Sequence, residues 1–472
     1  GDRAESLGAA GEARRYFEQA AGLTGPPLER AVLLDRAGWR AADVADFDTA
    51  ARLLGEAVSI LENEGDTHAA ARVSGRLAVV ERWQGRFDDS MARAEAAFDV
   101  GAGDDPDEDI AELARVLAVG YAFRGDLDRA SERLELALGV AEALGLASLI
   151  ARGFVTKSQL ALARGRPEES FALLKQGLEV ALEHEVWDAA GQLYFHLSDR
   201  LFHRDRYADA LGHLEQALSL ARRRGSRAGE WACLAETTYP LYMLGRWEDA
   251  LAAFAEVPED RVLSATTLSS LSSVVEIHIH RGEVDEARRV LSLYSPLATV
   301  PDIQDRSSYL AALAAVDRAE GQLAEALAAG VEADELAQTA SAPGNQPTKQ
   351  GLVEAIGAAL ALGDAQRAEE LVASIEAVPP GLRSPYLGAQ ALRFRARLAG
   401  SEDAAAESFE AAAKRFRELK IPFWLAVTQL EHGELTGDAS LLDEAREIFE
   451  RLEARPWLER LEKVGATTKV HA

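Results

Sequence analysis

Apolar and small residues recur along this chain at intervals of three and four, the period of one face of an α-helix. Ahead of Gly125 they stand at Leu113, Val116, Leu117, Gly120 and Tyr121, and beyond it at Leu127, Ala130, Leu134, Ala137 and Leu138. The pattern predicts two helices joined by a turn at the glycine, which supplies the left-handed conformation that ends the first helix. The arrangement repeats. A residue just past the turn recurs at Phe47, Phe87, Leu127, Pro167, Tyr207 and Trp247, 40 residues apart each time. Gly85, Gly125, Gly165 and Gly245 precede it, with Asp205 in one unit. Small residues follow it, such as Ala50 and Ala57, Ser90 and Ala97, or Ala210 and Ala217. They let two antiparallel helices approach closely, and Pro167 suits a first helical turn, where its missing donor costs nothing.

Past Val257 the period loosens. Gly282, Gly321 and Gly363, followed by Ala287, Ala326 and Ala368, give steps of 37, 39 and 42 residues, with weaker echoes at Ser401 and Gly437. Proline-containing turns at Pro296, Pro301, Pro343 and Pro379-Pro380 separate these units. The chain therefore divides into regular repeats over 1–295 and less regular ones over 296–472 that continue the same array. The stretch 9–21 reads as the second helix of a pair. With Gly1 in place of a methionine, the chain reads as an excised or processed piece of a larger protein.

These helix pairs resemble the tetratricopeptide repeat family in a long form of roughly 40 residues. The resemblance implies an all-α fold, a right-handed superhelical solenoid of antiparallel helix pairs with about 11–12 repeats. The opening run, from Gly1 to Ala4 and from Arg15 to Ala20, is also similar, more weakly, to the segment that follows the ATPase module of large bacterial regulators. In those, a nucleotide cyclase or DNA-binding effector, an NTP-binding switch and a repeat array share one chain.

Charge narrows the partners. The 51 Lys and Arg face 78 Asp and Glu, a net charge of −27, so direct binding to nucleic acid or an anionic membrane is not expected. A single cysteine, Cys233, excludes an intrachain disulfide and any multi-thiolate zinc site, and suits a reducing, cytoplasmic setting. No phosphate-binding Gly-x-x-x-x-Gly-Lys-Ser/Thr loop, dinucleotide fingerprint or nucleophile elbow occurs, and no strand pattern that would present one. The sequence is read as non-catalytic and as needing no cofactor.

Candidate ligating groups fare poorly. His196, Asp199 and His203 share a helix face, but two turns separate the imidazoles, so a polar lining is favoured over a metal site. His278 and His280 point apart on a helix. Asp104 to Asp109 lacks the glycine and distal glutamate of a calcium loop and reads as a solvated helix start near Asp107. Pro240 falls inside a helix and should kink it.

The resemblance also implies that the first helix of each pair lines a concave surface. Counting back from the turns places Arg82, Trp83, Phe123, Phe195, Asp199, Phe202, His203, Tyr239, Tyr242, Met243, Glu276 and His280 there. Aromatic and apolar groups exposed together call for a partner. The expected occupant is a peptide, a protein or another domain of the parent chain, and the centre of the site is the stretch of concave wall formed by Tyr239, Tyr242 and Met243 with Phe195, Asp199, Phe202 and His203 of the preceding unit. The alternative is a small-ligand sensor that controls an attached cyclase, ATPase or DNA-binding effector.

Overall fold

A computed structural model describes residues 1–6, 9–101, 107–259, 269–300, 302–340 and 344–471, with the side chains of 6, 101, 269, 340 and 465–471 excepted. The described residues form helices and turns, without a strand. They fall into two compact units: one holds 1–197 and 213–233, the other 198–212 and 234–472.

Unit 1 opens with α1 (Asp2–Ser6) and α2 (Ala10–Leu23). Helix pairs follow: α3 and α4 (Pro27–Asp43, Phe47–Asn63), α5 and α6 (Thr67–Trp83, Phe87–Gly101), α7 and α8 (Glu108–Phe123, Leu127–Leu144), α9 and α10 (Ala147–Ala163, Pro167–Glu183). Residues of α11 (Trp187–His203), α12 (Tyr207–Arg224) and α13 (Arg227–Met243) belong partly to each unit. Unit 2 continues with α14 (Trp247–Ala255), α15 and α16 (Ser269–Arg281, Val284–Leu293), α17 and α18 (Ile303–Ala319, Leu323–Ala340), and α19 and α20 (Gln346–Ala361, Ala365–Ala377). It ends with α21 and α22 (Pro385–Leu398, Glu402–Leu419), α23 and α24 (Pro422–Thr436, Ala439–Leu452), and α25 (Arg455–His471). In each unit the architecture is a succession of antiparallel helix pairs.

The turns follow from local chemistry. Gly125 sits at φ 76°, a conformation that a side chain disfavours. Asp126 then caps α8 by accepting from the Arg129 amide at 3.2 Å, as Asp46 and Asp66 cap α4 and α5. The small positions bring the helices together as expected. Ser90 reaches the Ala78 carbonyl across the pair at 2.7 Å, and a Cβ added at Gly177 would lie 2.7 Å from that of Phe154. Successive pairs are further tied along their turns: Gln84 donates to Asp48, and Arg124 to Asp88, each at 2.7 Å across 36 residues. Pro240, expected to kink α13, lies inside a helix that runs on to Met243, and its own carbonyl accepts from the Leu244 amide at 3.0 Å.

Candidate functional site

The first helices of unit 1 keep one face open to solvent. On α5 the residues that are not buried after its first are His68, Ala69, Arg72, Arg76, Val79, Arg82 and Trp83, spaced by three and four. Glu112, Arg115, Val116, Val119, Ala122 and Phe123 continue the stripe on α7, and Arg152 and Gln159 on α9. Alanine and leucine on the opposite faces form the core. Phe123 is 51% exposed and meets Phe87 edge-on, while Trp83 stacks on Trp39 at 6.1 Å and touches Phe47.

Arginine dominates this face although the chain is acidic. Arg72 and Arg76 of α5 both bind the buried Asp35 of α3, at 3.0 and 2.7 Å. Glu112 accepts from Arg115 through two bonds of 3.0 and 2.7 Å, and from Arg152 of the next pair at 2.9 Å. Burial alone would raise the Glu112 carboxyl, but the two guanidiniums prevail and hold it at about 2. Arg82 differs. Among the described residues no carboxylate lies within ion-pairing distance of it; its guanidinium stands 5.6 Å over the Phe123 ring. Burial and the nearby Arg115 charge lower it to about 10.

Unit 2 presents the opposite condition. Every residue of α19 from Thr348 to Ile356 is buried, as is every residue of α23 from Phe423 to Gly433. These helices have no open stripe, because the later helix pairs of the unit cover the inner side of its earlier ones. Asp205 is the hub of one such contact. It occupies a turn position that Gly85, Gly125, Gly165 and Gly245 hold in other units and Ala45 in one, at φ 57°, and accepts from Lys349 Nζ at 2.6 Å. Ser384 Oγ, the Tyr386 amide and the Tyr207 hydroxyl each donate to it at 2.7 Å. Lys349 also donates to the Phe202 carbonyl at 2.7 Å, so α11, α19 and α21 meet at one buried ion pair.

A second contact is aromatic. The His280 ring lies 4.1 Å from Phe423 and about as far from Trp247 as from Trp457, at 6.0 Å each. Tyr242 stacks on Trp247 at 6.2 Å, and its hydroxyl stands 3.4 Å from His280 Nε2. Burial holds the His280 imidazole well below its usual range, hence neutral. Next to it, burial and the Glu354 charge push Glu276 up to about 8, while Arg318 binds Glu354 at 3.1 Å.

The expected groove residues therefore separate. Phe202, Tyr239, Tyr242, Met243, Glu276 and His280 are all buried. They were expected as walls of an open groove, but helices of their own unit cover them. Asp199 and His203 are half-buried, and His203 Nδ1 is 2.8 Å from the Asp199 carbonyl oxygen. Phe195 is half-buried against His196, in unit 1. Only Arg82, Trp83 and Phe123 of the twelve lie on the open stripe of α5 and α7.

Sequence reasoning missed Glu112, Arg115 and Arg152, which counting from the turns did not select, and the partners of Asp205. One signal was available: a charged residue, Asp205, at a turn where the other units place glycine or, at Ala45, alanine.

His68, Asp107 and Asp109 bring three potential ligand atoms within 4.8 Å of one another. The grouping reads as an inter-repeat ion pair. His68 Nε2 is 2.7 Å from Asp107, Asp107 also caps α7 through the Ile110 amide, and Arg72 lies 3.6 Å from Asp109. The helix start and the guanidinium already supply positive charge there. Asp104, Asp105 and Pro106 lie outside the described residues. Among the described residues no helix is long and apolar enough to cross a membrane.

No family model matches the sequence, and no curated protein does. Among solved structures the chain is similar to human IFIT1, solved as a dimer with m7Gppp-AAAA, at 14% identity and a TM-score of 0.45, covering 84% of this chain and 90% of that one. The Cut9–Hcn1 assembly of the APC/C is similar at 15% identity and a TM-score of 0.45, covering 96% and 90%. A Signal Transduction ATPase with Numerous Domains that carries a tetratricopeptide repeat sensor, from Pyrococcus horikoshii, is similar at 16% identity and a TM-score of 0.41, covering 69% and 53%.

Proposed function

We propose that this protein is a non-catalytic scaffold that holds a peptide or protein segment on the open face of the first helices of unit 1. One observation carries the reading. Along α5 and α7 an accessible stripe combines Val79, Val119 and Phe123 with arginines, and Phe123 is half-exposed where an isolated solenoid face gains nothing from an uncovered ring. A mixed aromatic and arginine surface is the composition that protein interfaces favour. The partner is a separate protein or another domain of a larger bacterial regulator, in keeping with the resemblance of the opening run.

The test is a peptide array probed with the whole protein. Bound spots should disappear for Val119→Ser/Phe123→Ser, with the helical circular dichroism unchanged, and persist for Leu144→Ala on the second helix α8. Spots that survive the double substitution would refute the assignment of the face.

A further inference from the structure

We infer that the exposed face of α18 is a docking groove for a basic amphipathic helix of a partner protein. The groove lies within unit 2, on second helices, and does not rest on the reading of the open face of unit 1. It runs along α18 with Arg367 of α20 at its edge and has a volume of about 580 Å³. Ala324, Leu327, Ala328 and Val331 line its first two turns, at the spacing of three and four that makes one helix face. A row of that kind ordinarily faces a core. Here Ala324 and Ala328 are exposed, and Leu327 and Val331 are only half-buried.

The row sets the shape of its occupant. Alanine at 324 and 328 lets a backbone approach closely, with Leu327 and Val331 as the ridge beside it. Apolar side chains recurring at three, four and seven residues on a second helix fit such a row. An extended strand would leave its backbone donors and acceptors facing alanine, without partners.

Charge sets the sign. Past Val331 the groove runs onto Glu332 and Glu335, in the C-terminal half of a helix whose dipole is negative at that end and whose last turn holds no basic residue. Glu332 is bound by Arg306, and Arg367 by Glu370 at 3.0 Å, so these charges are offset within the unit. Glu335 and, near the other end of the row, Glu325 have no ion pair among the described residues. Lysines and arginines flanking the apolar face of a partner helix complement both carboxylates. A second copy of this chain fits less well, because a two-fold axis would set the same carboxylates against each other between chains of net charge −27.

The test uses the full chain and a fluorescein-labelled peptide of repeated Leu-Lys-Ala-Leu-Arg-Lys-Ala, followed by anisotropy. Binding should be saturable and weaken with salt. Glu335→Lys should weaken it about tenfold or more, and Ala328→Lys, which sets a charge and added bulk in the apolar row, should abolish it. Glu407→Lys, the same reversal of charge at an exposed position of α22, should leave it intact, and so should Val119→Ser/Phe123→Ser in unit 1. A peptide with Ser for each Leu keeps its charge but should not bind, and spermine should not displace the parent peptide. Absence of binding, or equal binding by wild type and Glu335→Lys, would overturn the groove. Equal binding of the Ser peptide or displacement by spermine would do the same, since either means that charge alone is read. A loss in Glu407→Lys or in the unit 1 variant as large as that in Glu335→Lys would place the peptide elsewhere and overturn it too. Glu335 and Ala328 are exposed, so unchanged circular dichroism is expected. Should Glu335→Lys unfold, Glu335→Gln reads the same contact, and an affinity equal to that of wild type would overturn the inference.

Discussion

Helices α5 and α19 are both first helices of their pairs, but they end in opposite surroundings. Helix α5 keeps an open row from Arg72 to Trp83, whereas α19 is buried all round from Thr348 to Ile356. The difference lies in what covers each inner face. In unit 2 the later pairs return to the earlier ones: Asp205 meets Ser384 and Tyr386 across 179 and 181 residues, and Arg281 donates to the Leu452 carbonyl at 3.3 Å. Among the described residues of unit 1, α5 and α7 each keep a row of residues that is not buried. One repeat grammar thus yields a closed interior in one unit and an accessible face in the other, and only the second is available to a partner.

The contrast should break most visibly at the buried ion pair. Lys349→Met leaves the Asp205 carboxylate enclosed without its cation, and removal of one member of such a pair costs roughly 3–5 kcal/mol. Hydrogen exchange should report loosening of α19 and α21 with α5 and α7 unaffected. Restoring the usual turn glycine in Asp205→Gly/Lys349→Met removes both charges and the left-handed strain together, so the double variant should recover part of the loss. A single variant as stable as wild type would mean that the pair does not close unit 2.

Next come the aromatic rings. Phe202→Ala and Tyr242→Ala remove side chains from a packed interior and should each cost about 3–5 kcal/mol, while Phe123→Ala on the open stripe should cost less than about 1 kcal/mol. Chemical denaturation followed by near-ultraviolet circular dichroism measures both. Equal costs in the two units would erase the distinction drawn between them.

The pH dependence tests the interior from another side. Burial and Glu354 raise Glu276 from 4.5 to about 8, so the folded state holds a proton there that the unfolded chain releases. Between those values the folded form binds more protons, and stability must fall as pH rises. The full contribution is present below about 4.5 and lost by about 8. Glu276→Gln keeps the shape without the charge and should flatten this part of the melting-temperature profile. A profile unchanged by the substitution would show that Glu276 does not titrate in this window.

Much of the fold was legible in the spacing. Gly85, Gly125 and Gly165 mark turns that the structure forms, and counting back from later turns selected Tyr242 and His280, which the structure buries. Their accessibility was not legible. It depends on Phe423 and Trp457 arriving from far along the chain, and no period of 40 residues encodes which distant helix will cover a given face. Asp205 was visible as a charged residue at a turn that takes glycine or, at Ala45, alanine in the other units, but its partners were not, since Lys349 and Ser384 have nothing unusual about their local sequence. Arg115 and Glu112 escaped because a charged residue on a helix usually signals only a solvated face.

The smallest expected effect makes the sharpest comparison, because it holds distance nearly constant. Arg124 and Asp88 bind at 2.7 Å, and Lys349 and Asp205 at 2.6 Å. The side chains of the first pair are 41% and 93% exposed, those of the second 1% and 0%. In water the exposed pair gains little over its separate hydrated charges, and such pairs contribute about 0.2–1 kcal/mol before salt screens them. Arg124→Ala should therefore lower stability by less than about 0.5 kcal/mol, with the difference vanishing in molar salt. The Lys349→Met defect should persist there, because ions do not reach a pair enclosed by α11, α19 and α21. A salt-sensitive defect at Lys349, or a large salt-resistant one at Arg124, would show that burial is not what separates the two units.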